Sequence, residues 1–419
     1  MAGSLLSPDL RRALALPDFR LHFFGGLAAS FAMNMQVIAR GWLVYQLTQS
    51  EMDLAWVTMS FMIPQVLFAL YGGVLADRYP KRRLIVIGQS LSALATLVFA
   101  AIVLTERVEF WDFIWLGFFN GTVLALSMPA RQAFVPELVP QSLILSATSI
   151  NTSGWNFARI LGPAIAGLLI ALIADGDKTS YFGVGMVHLF ICALYLLSAL
   201  SMSRVSRPGE VHPVKEHVGR EMLGAFRYVW NRPPIFALII LSIIPFLFGM
   251  PLNTMLPAFN HDILGGGADD LGYLISAMGV GAIIGSLYTA GLASLKRKGF
   301  WVIATCLAWG AATMAFGFAD SLLFAFIAIF FVGLVSAANS AGNRALLQMQ
   351  VDPAMRGKVL SIDMMSHGLM PFGLMPISFV AERYDVAVAL MVSGGVFMLL
   401  VVLCFATMKS LRTIDQSLN

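Results

Sequence analysis

Twelve blocks of about 20 apolar residues follow one another along this chain, joined by short polar stretches. About 20 such residues in a helix cross a hydrocarbon core roughly 30 Å thick. In that medium each backbone N–H and C=O has to be satisfied inside the protein, which confines the chain to regular structure. Charged residues make up 12% of the 419 and apolar residues 58%, against the roughly 25% charged residues of a soluble domain. Soluble, fibrous and disordered folds are excluded. The fold class is an all-α integral membrane protein.

The blocks run over 19–47, 54–76, 83–105, 110–131, 142–173, 181–202, 233–259, 271–293, 300–318, 321–345, 356–381 and 384–408. The longest polar stretch, 203–232, divides them into a six-helix bundle over 1–202 and a second over 233–419. Basic residues fix the orientation. With both termini cytoplasmic, the inner segments carry 22 of the 27 Lys and Arg, and the outer ones only Arg107, Lys178 and Arg383. Arg40 and Arg159 fall inside blocks. Within the linker, Met222, Leu223, Phe226 and Val229/Trp230 recur at helical spacing opposite Arg220 and Arg227, which predicts an amphipathic helix over 216–230 at the cytoplasmic interface. Residues 1–16 have no apolar core before a small-residue cleavage site, so the first block is expected to act as the insertion signal. Cys192, Cys306 and Cys404 all lie in apolar blocks and read as small packing residues.

At an offset of 213 the halves repeat one another. Arg131 meets Arg344, Pro140 meets Pro353, Pro163 meets Pro376 and Gly72 meets Gly285. Two parallel repeats about an axis along the membrane normal, with cargo held between them, is a transporter plan.

Several motifs carry a family resemblance. Gly73-Val-Leu-Ala-Asp77-Arg78-Tyr-Pro-Lys81-Arg82-Arg83 resembles the loop signature between helices 2 and 3 of the major facilitator superfamily, with Pro80 in place of its second glycine. Arg159-Ile-Leu-Gly162-Pro163-Ala-Ile-Ala-Gly167 resembles that superfamily's antiporter motif, with Ala166 where glycine is common. Gly41-Trp42-Leu-Val-Tyr45-Gln-Leu-Thr48, Pro129-Ala-Arg131-Gln-Ala-Phe-Val-Pro136-Glu137-Leu-Val-Pro140 and Arg356-Gly357-Lys358-Val are similar to the enterobactin-exporter-like, drug-efflux subgroup. The resemblance covers nearly the whole chain. It implies two bundles around a central pathway, export of a siderophore or drug, and a bacterial cytoplasmic membrane location.

The resemblance also implies a cytoplasmic gate of Gly73, Asp77, Arg78, Arg82, Arg131, Glu137 and Arg356. Asp77 could pair with Arg131 and sit against the positive N-terminal end of helix 11. The alternative is that the basic run simply anchors the loop at anionic head groups. Asp77 maps onto Ala290 in the second half, so any latch is asymmetric. Pro163 should kink helix 5, and Gly162 and Gly167 allow close helix approach.

Polar groups inside a bilayer need a reason. Arg40 lies about 21 residues, or roughly 30 Å, along helix 1; it could snorkel outward, or line a cavity with Gln36 one turn earlier. Arg159 shares a helix face with Asn151 and Trp155 and reads as cavity-facing or charge-paired. Asp363 is the deeply placed acid, and His367 follows at i+4 on the same helical face. A carboxylate and an imidazole one turn apart can pass protons, which makes them the candidates for proton coupling; a satisfied pair in a helix interface is the other reading. Asn34, Gln36, Arg40, Gln65, Asn120, Asn151, Asn253 and Asn339 are the candidate cavity anchors.

No phosphate-binding loop, nucleophile motif or metal-ligand spacing occurs, so neither enzyme chemistry, a cofactor nor a metal is expected. The basic residues line one membrane face and do not form a nucleic-acid surface. The expected partners are a small-molecule substrate, protons and membrane lipids, with the chain acting as a monomer. Rival readings are a lipid or lysolipid transporter, a nutrient importer, and a non-transporting sensor or scaffold on the same fold.

Overall fold

A computed structural model of the chain describes residues 8–173, 181–211, 218–291, 298–352 and 355–413; for some helical residues only the backbone is described. No strand occurs among them. The chain divides into two compact units, Met1–Thr48 with Trp56–Val214, and Gln49–Ala55 with Lys215–Asn419.

The first unit contains α1 (Pro8–Ala15), α2 (Pro17–Thr48), most of α3 (Glu51–Arg78), α4 (Lys81–Leu104), α5 (Phe110–Phe134), α6 (Ile144–Ile173) and α7 (Tyr181–Ser203). The second contains α8 (Val218–Trp230), α9 (Pro233–Phe248), α10 (Pro251–Asp262), α11 (Ala268–Gly291), α12 (Lys298–Gly317), α13 (Leu322–Gln350), α14 (Arg356–Met365), α15 (Met370–Arg383), α16 (Val386–Thr407) and α17 (Lys409–Thr413). Among the described residues nine segments are long and apolar enough to cross a membrane, α9 and α10 together making one of them, or ten if α3 is also counted.

Local chemistry explains the helix ends. Proline opens α2, α9 and α10, where its missing N–H is no loss. Glu109 and Asp112 form a reciprocal cap on α5, with Glu109 N–H donating to Asp112 Oδ2 at 2.8 Å. Asp385 accepts from Ala387 N–H at 2.7 Å to start α16.

Two of the expected helices are interrupted. The block 233–259 breaks at Gly249–Met250, between α9 and α10, where Gly249 and Met250 both donate to Pro245 O. Ser393 Oγ on α16 donates to Phe248 O at 2.6 Å and satisfies a carbonyl freed there. The block 356–381 breaks into α14, a 3-10 turn over Ser366–Leu369, and α15.

In each unit a glycine brings two helices to backbone contact. A Cβ on Gly72 would lie 2.1 Å from Ala125 O, and one on Gly285 would lie 1.9 Å from Leu334 O. These glycines are related by the offset of 213, so the sequence repeat recurs as the same crossing of α3 on α5 and α11 on α13.

The two ends of the linker are tied to different units. Residues 204–210 form a strap on the first: Ser206 and Arg207 N–H donate to the Asp18 carboxylate, Arg82 Nη1 donates to Val205 O at 2.7 Å, and Arg207 Nη1 donates to Glu137 O at 2.6 Å. Gly209 has φ +92° and lies against Lys81, where a Cβ would fall 2.9 Å from that residue's own. Within the linker, α8 covers Val218–Trp230 and buries Ala225 and Val229, leaving Leu223 70% and Trp230 74% exposed. It is held to the second unit by Tyr228 OH, which accepts from Asp352 N–H, and by the adjacent Arg232–Asp352 ion pair at 2.9 Å.

Candidate functional site

In the first unit, polar side chains of α2, α4, α5 and α7 meet in one interior column. Asn120 Nδ2 donates to Gln36 Oε1 at 3.4 Å, Gln36 Nε2 donates to Thr96 Oγ1 at 3.4 Å, and Thr96 donates to Ser92 O at 2.7 Å. A narrow cavity links Gln36 and Asn120 to Gln89, Ser127, Tyr195 and Arg131. Arg131 Nη2 donates to Gly26 O at 3.3 Å. A Cβ on Gly26 would stand 3.6 Å from Arg131 Nη2 and 3.9 Å from Asn151 Oδ1, so Asn151 of α6 borders the same end.

Arg40 closes the opposite end. It is 6% exposed, and its guanidinium carbon stands 5.6 Å from the centroid of the Phe61 ring. Gly117 on α5 makes the room, since a Cβ there would meet Arg40 Nη1 at 3.2 Å. The Arg40 side chain is packed within the unit, where the aromatic face offsets part of its desolvation.

At the loop after α3, Lys81 is only 2% exposed and pairs with Glu137 Oε1 at 2.8 Å. Its Nζ also donates to Glu210 O at 2.5 Å, and Glu137 Oε2 accepts from Glu210 N–H at 2.8 Å. Asp77 and Arg78 are exposed at the end of α3. Among the described residues no ion pair joins Asp77 to Arg131. Gly73 is open, with nothing within 4 Å of a Cβ placed there. The side chain of Arg356 lies outside the described residues.

Around the Gly-Pro motif, α6 runs unbroken through Pro163. Gly162 touches α2, where a Cβ would lie 3.0 Å from Asn34 Cβ; Asn34 itself donates to Ser30 O at 2.8 Å. Gly167 is buried and Arg159 is exposed.

In the second unit, Asp363 is 5% exposed on α14. Ser242 Oγ on α9 donates to Asp363 Oδ1 at 2.5 Å, and Asn343 Nδ2 on α13 donates to Ser242 Oγ at 2.7 Å and to Leu238 O at 3.1 Å. The carboxylate thus joins α14 to α9, and Asn343 joins α13 to α9 at the same serine. The backbone of His367 falls in the 3-10 turn, so the simple i+4 helical relation to Asp363 is interrupted; its side chain lies outside the described residues.

The remaining candidates are dispersed. Asn339 is 2% exposed and its Nδ2 is within hydrogen-bond reach of Val302 O, Thr305 Oγ1 and Cys306 Sγ, tying α13 to α12. Gln65 donates to Phe61 O in its own helix at 3.2 Å, and exposed Asn253 donates to Met250 Sδ at 3.3 Å. Sequence reasoning passes over Gln89, Tyr195, Ser242 and Asn343, although each is a polar group in an apolar block and meets the criterion that finds Asn120.

The column, the buried carboxylate and the paired glycine crossings fit a transporter, and residues 12–418 match the model of a family described as transmembrane secretion effector. The chain belongs to that family. As a family member it is a multi-pass membrane transporter of the major facilitator type, located in the bacterial cytoplasmic membrane, and is not an enzyme. It is 25% identical over 377 residues to the staphyloferrin A transporter of Staphylococcus aureus (strain NCTC 8325 / PS 47), covering 89% of this chain and 92% of that one. It is 24% identical over 361 residues to the multidrug efflux pump Tap of Mycolicibacterium fortuitum, covering 84% and 87%. With the enterobactin exporter EntS of Shigella boydii serotype 4 it shares 26% over 290 residues, or 69% and 67% of the two chains. Among solved structures, the nucleoside transporter NupG superposes with a TM-score of 0.71 at 15% identity, covering 93% of this chain and 98% of that one; this likeness concerns the fold.

Proposed function

We propose that this transporter exports a small amphiphilic molecule, a siderophore or a drug, by alternating access of two six-helix halves coupled to inward proton flow. In this reading twelve helices cross the membrane with both termini cytoplasmic, as the distribution of basic residues favours. The relatives named for staphyloferrin A, enterobactin and multidrug efflux support the cargo class.

The observation that carries proton coupling is Asp363. A carboxylate buried between three helices has to be neutralised or paired, and here the described partner is the Ser242 hydroxyl, which can accept as well as donate. Gain or loss of a proton at Asp363 therefore rearranges hydrogen bonds on α9, α13 and α14 together. His367, in the next turn of chain, is the proposed relay to water. The gate residues Asp77, Arg78, Arg82, Arg131, Glu137 and Arg356 close the cytoplasmic side.

The test is flux in proteoliposomes under an imposed pH gradient, following a fluorescent dye panel and a catecholate siderophore, with wild type beside Asp363→Asn. Gradient-dependent export lost in the variant supports the reading. Export that survives moves coupling away from Asp363. No flux from folded protein refutes amphiphile export and turns attention to lipids.

A further inference from the structure

We propose that the polar column of the first unit is an anion subsite that takes a carboxylate with a neighbouring hydroxyl, presented by the head group of the cargo. The inference rests on the export reading above and narrows its substrate class.

Acidic side chains lie only at the ends of the described helices of this unit. In α2 the acid is Asp18, at its second residue; in α3 the acids are Glu51 and Asp53 in the first turn and Asp77 at the penultimate residue; in α5 the acid is Asp112 in the first turn. Helices α4, α6 and α7 contain none. The interior of the unit nevertheless holds two arginines, Arg40 and Arg131, and Tyr195 lines the same cavity as Arg131. Positive charge is concentrated there without a carboxylate from the described helices of this unit.

What surrounds the two guanidiniums fits an incoming anion. Arg40 is occupied by the Phe61 face. Arg131 lines the cavity, and its acceptor among the described residues is the Gly26 carbonyl at a long 3.3 Å. A guanidinium offers five donors in a planar fork, which matches a carboxylate in a two-point contact. Two buried atoms beside it are of the opposite kind: Gln89 Oε1 and Asn120 Oδ1 have no donor among the described residues, and both residues line the same cavity. A carboxylate satisfies Arg131, and a hydroxyl next to it satisfies an amide oxygen. The same field rejects cationic head groups. Because the cavity is narrow and its wall includes Met33, Val123 and Leu124, it takes the head group alone.

The test uses the full chain in nanodiscs and three fluorescent probes, N-dansyl serine, N-dansyl alanine and N-dansyl serinamide. Serine is expected to bind about tenfold or more tighter than serinamide, with alanine between them. Arg131→Gln should bring the serine-to-serinamide ratio close to one. Asn120→Asp, which adds a negative charge to the column, should do the same with Arg131 intact, and serves if the arginine variant fails to fold. Equal affinity for serine and serinamide, a preference that survives both substitutions, or no saturable binding of any probe would overturn the proposal. Export of serine and serinamide at equal rates in proteoliposomes removes the anion subsite and keeps export. Selective serine binding without export of any compound removes the export reading and keeps the subsite.

Discussion

The Lys81–Glu137 pair is lopsided: the ammonium is 2% exposed and its carboxylate partner 17%. That asymmetry sets the order of two substitutions. Glu137→Gln keeps an oxygen for Glu210 N–H but leaves Lys81 as a buried cation facing the Glu210 carbonyl. Removing one partner from a buried pair costs about 3–5 kcal/mol. Lys81→Met removes the more desolvated charge, fills its slot with an apolar chain, and leaves Glu137 where water can reach it, a loss of about 1–2 kcal/mol. The double variant should resemble Lys81→Met, giving a coupling as large as the Glu137→Gln loss, about 3–5 kcal/mol. In a cooperative unit of roughly 200 residues, 1 kcal/mol moves Tm by about 2–4 °C. Glu137→Gln should then lower Tm by about 10 °C and Lys81→Met by about 3–6 °C. Tryptophan fluorescence during heating of the purified protein measures this, and trypsin cleavage after Arg204 and Arg207 reports separately on release of the strap. A Lys81→Met loss equal to or above that of Glu137→Gln, or additive losses in the double variant, would refute the reasoning.

The glycine crossings predict a sharp contrast along one helix. Gly72→Val and Gly285→Val drive a side chain into a backbone carbonyl and should each cost more than about 3 kcal/mol or abolish folded yield in size-exclusion chromatography, whereas Gly73→Ala, one residue away in open space, should leave yield unchanged. Asn339→Leu removes an amide shared among three acceptors and should cost about 1–3 kcal/mol in thermal unfolding, while leaving the carboxylate preference of the first unit as in wild type.

Much of the helix plan is legible in the apolar blocks. The block 83–105 becomes Lys81–Leu104, 181–202 becomes Tyr181–Ser203, and 384–408 becomes Val386–Thr407. The breaks at Gly249–Met250 and Ser366–Leu369 are not legible from hydropathy, because the apolar average continues across them while the backbone does not. Their signals are local: Pro245, Gly249 and Pro251 in one case, Gly368, Pro371 and Gly373 in the other. Gln36 and Asn120 stand out as polar groups in apolar surroundings, yet that they bond to one another depends on how α2 packs against α5. Lys81 is the hardest to see. In sequence it is one of four cations within six residues, and its partners lie 56 and 129 positions further on.

The strap has a consequence for the reach of the linker. Were all of 203–232 free, a chain of that length could extend about 100 Å at 3.3–3.6 Å per residue. Glu210 is fastened to the first unit and Val218 begins a helix fastened to the second. The leash between those anchor points is seven residues, 211–217, with a reach of about 25–30 Å. A tether of that length caps the distance from Glu210 to Val218 at about 30 Å whatever conformation the chain adopts. An insertion within 211–217 would lengthen that tether residue by residue without touching the bonds that fasten Glu210 or α8.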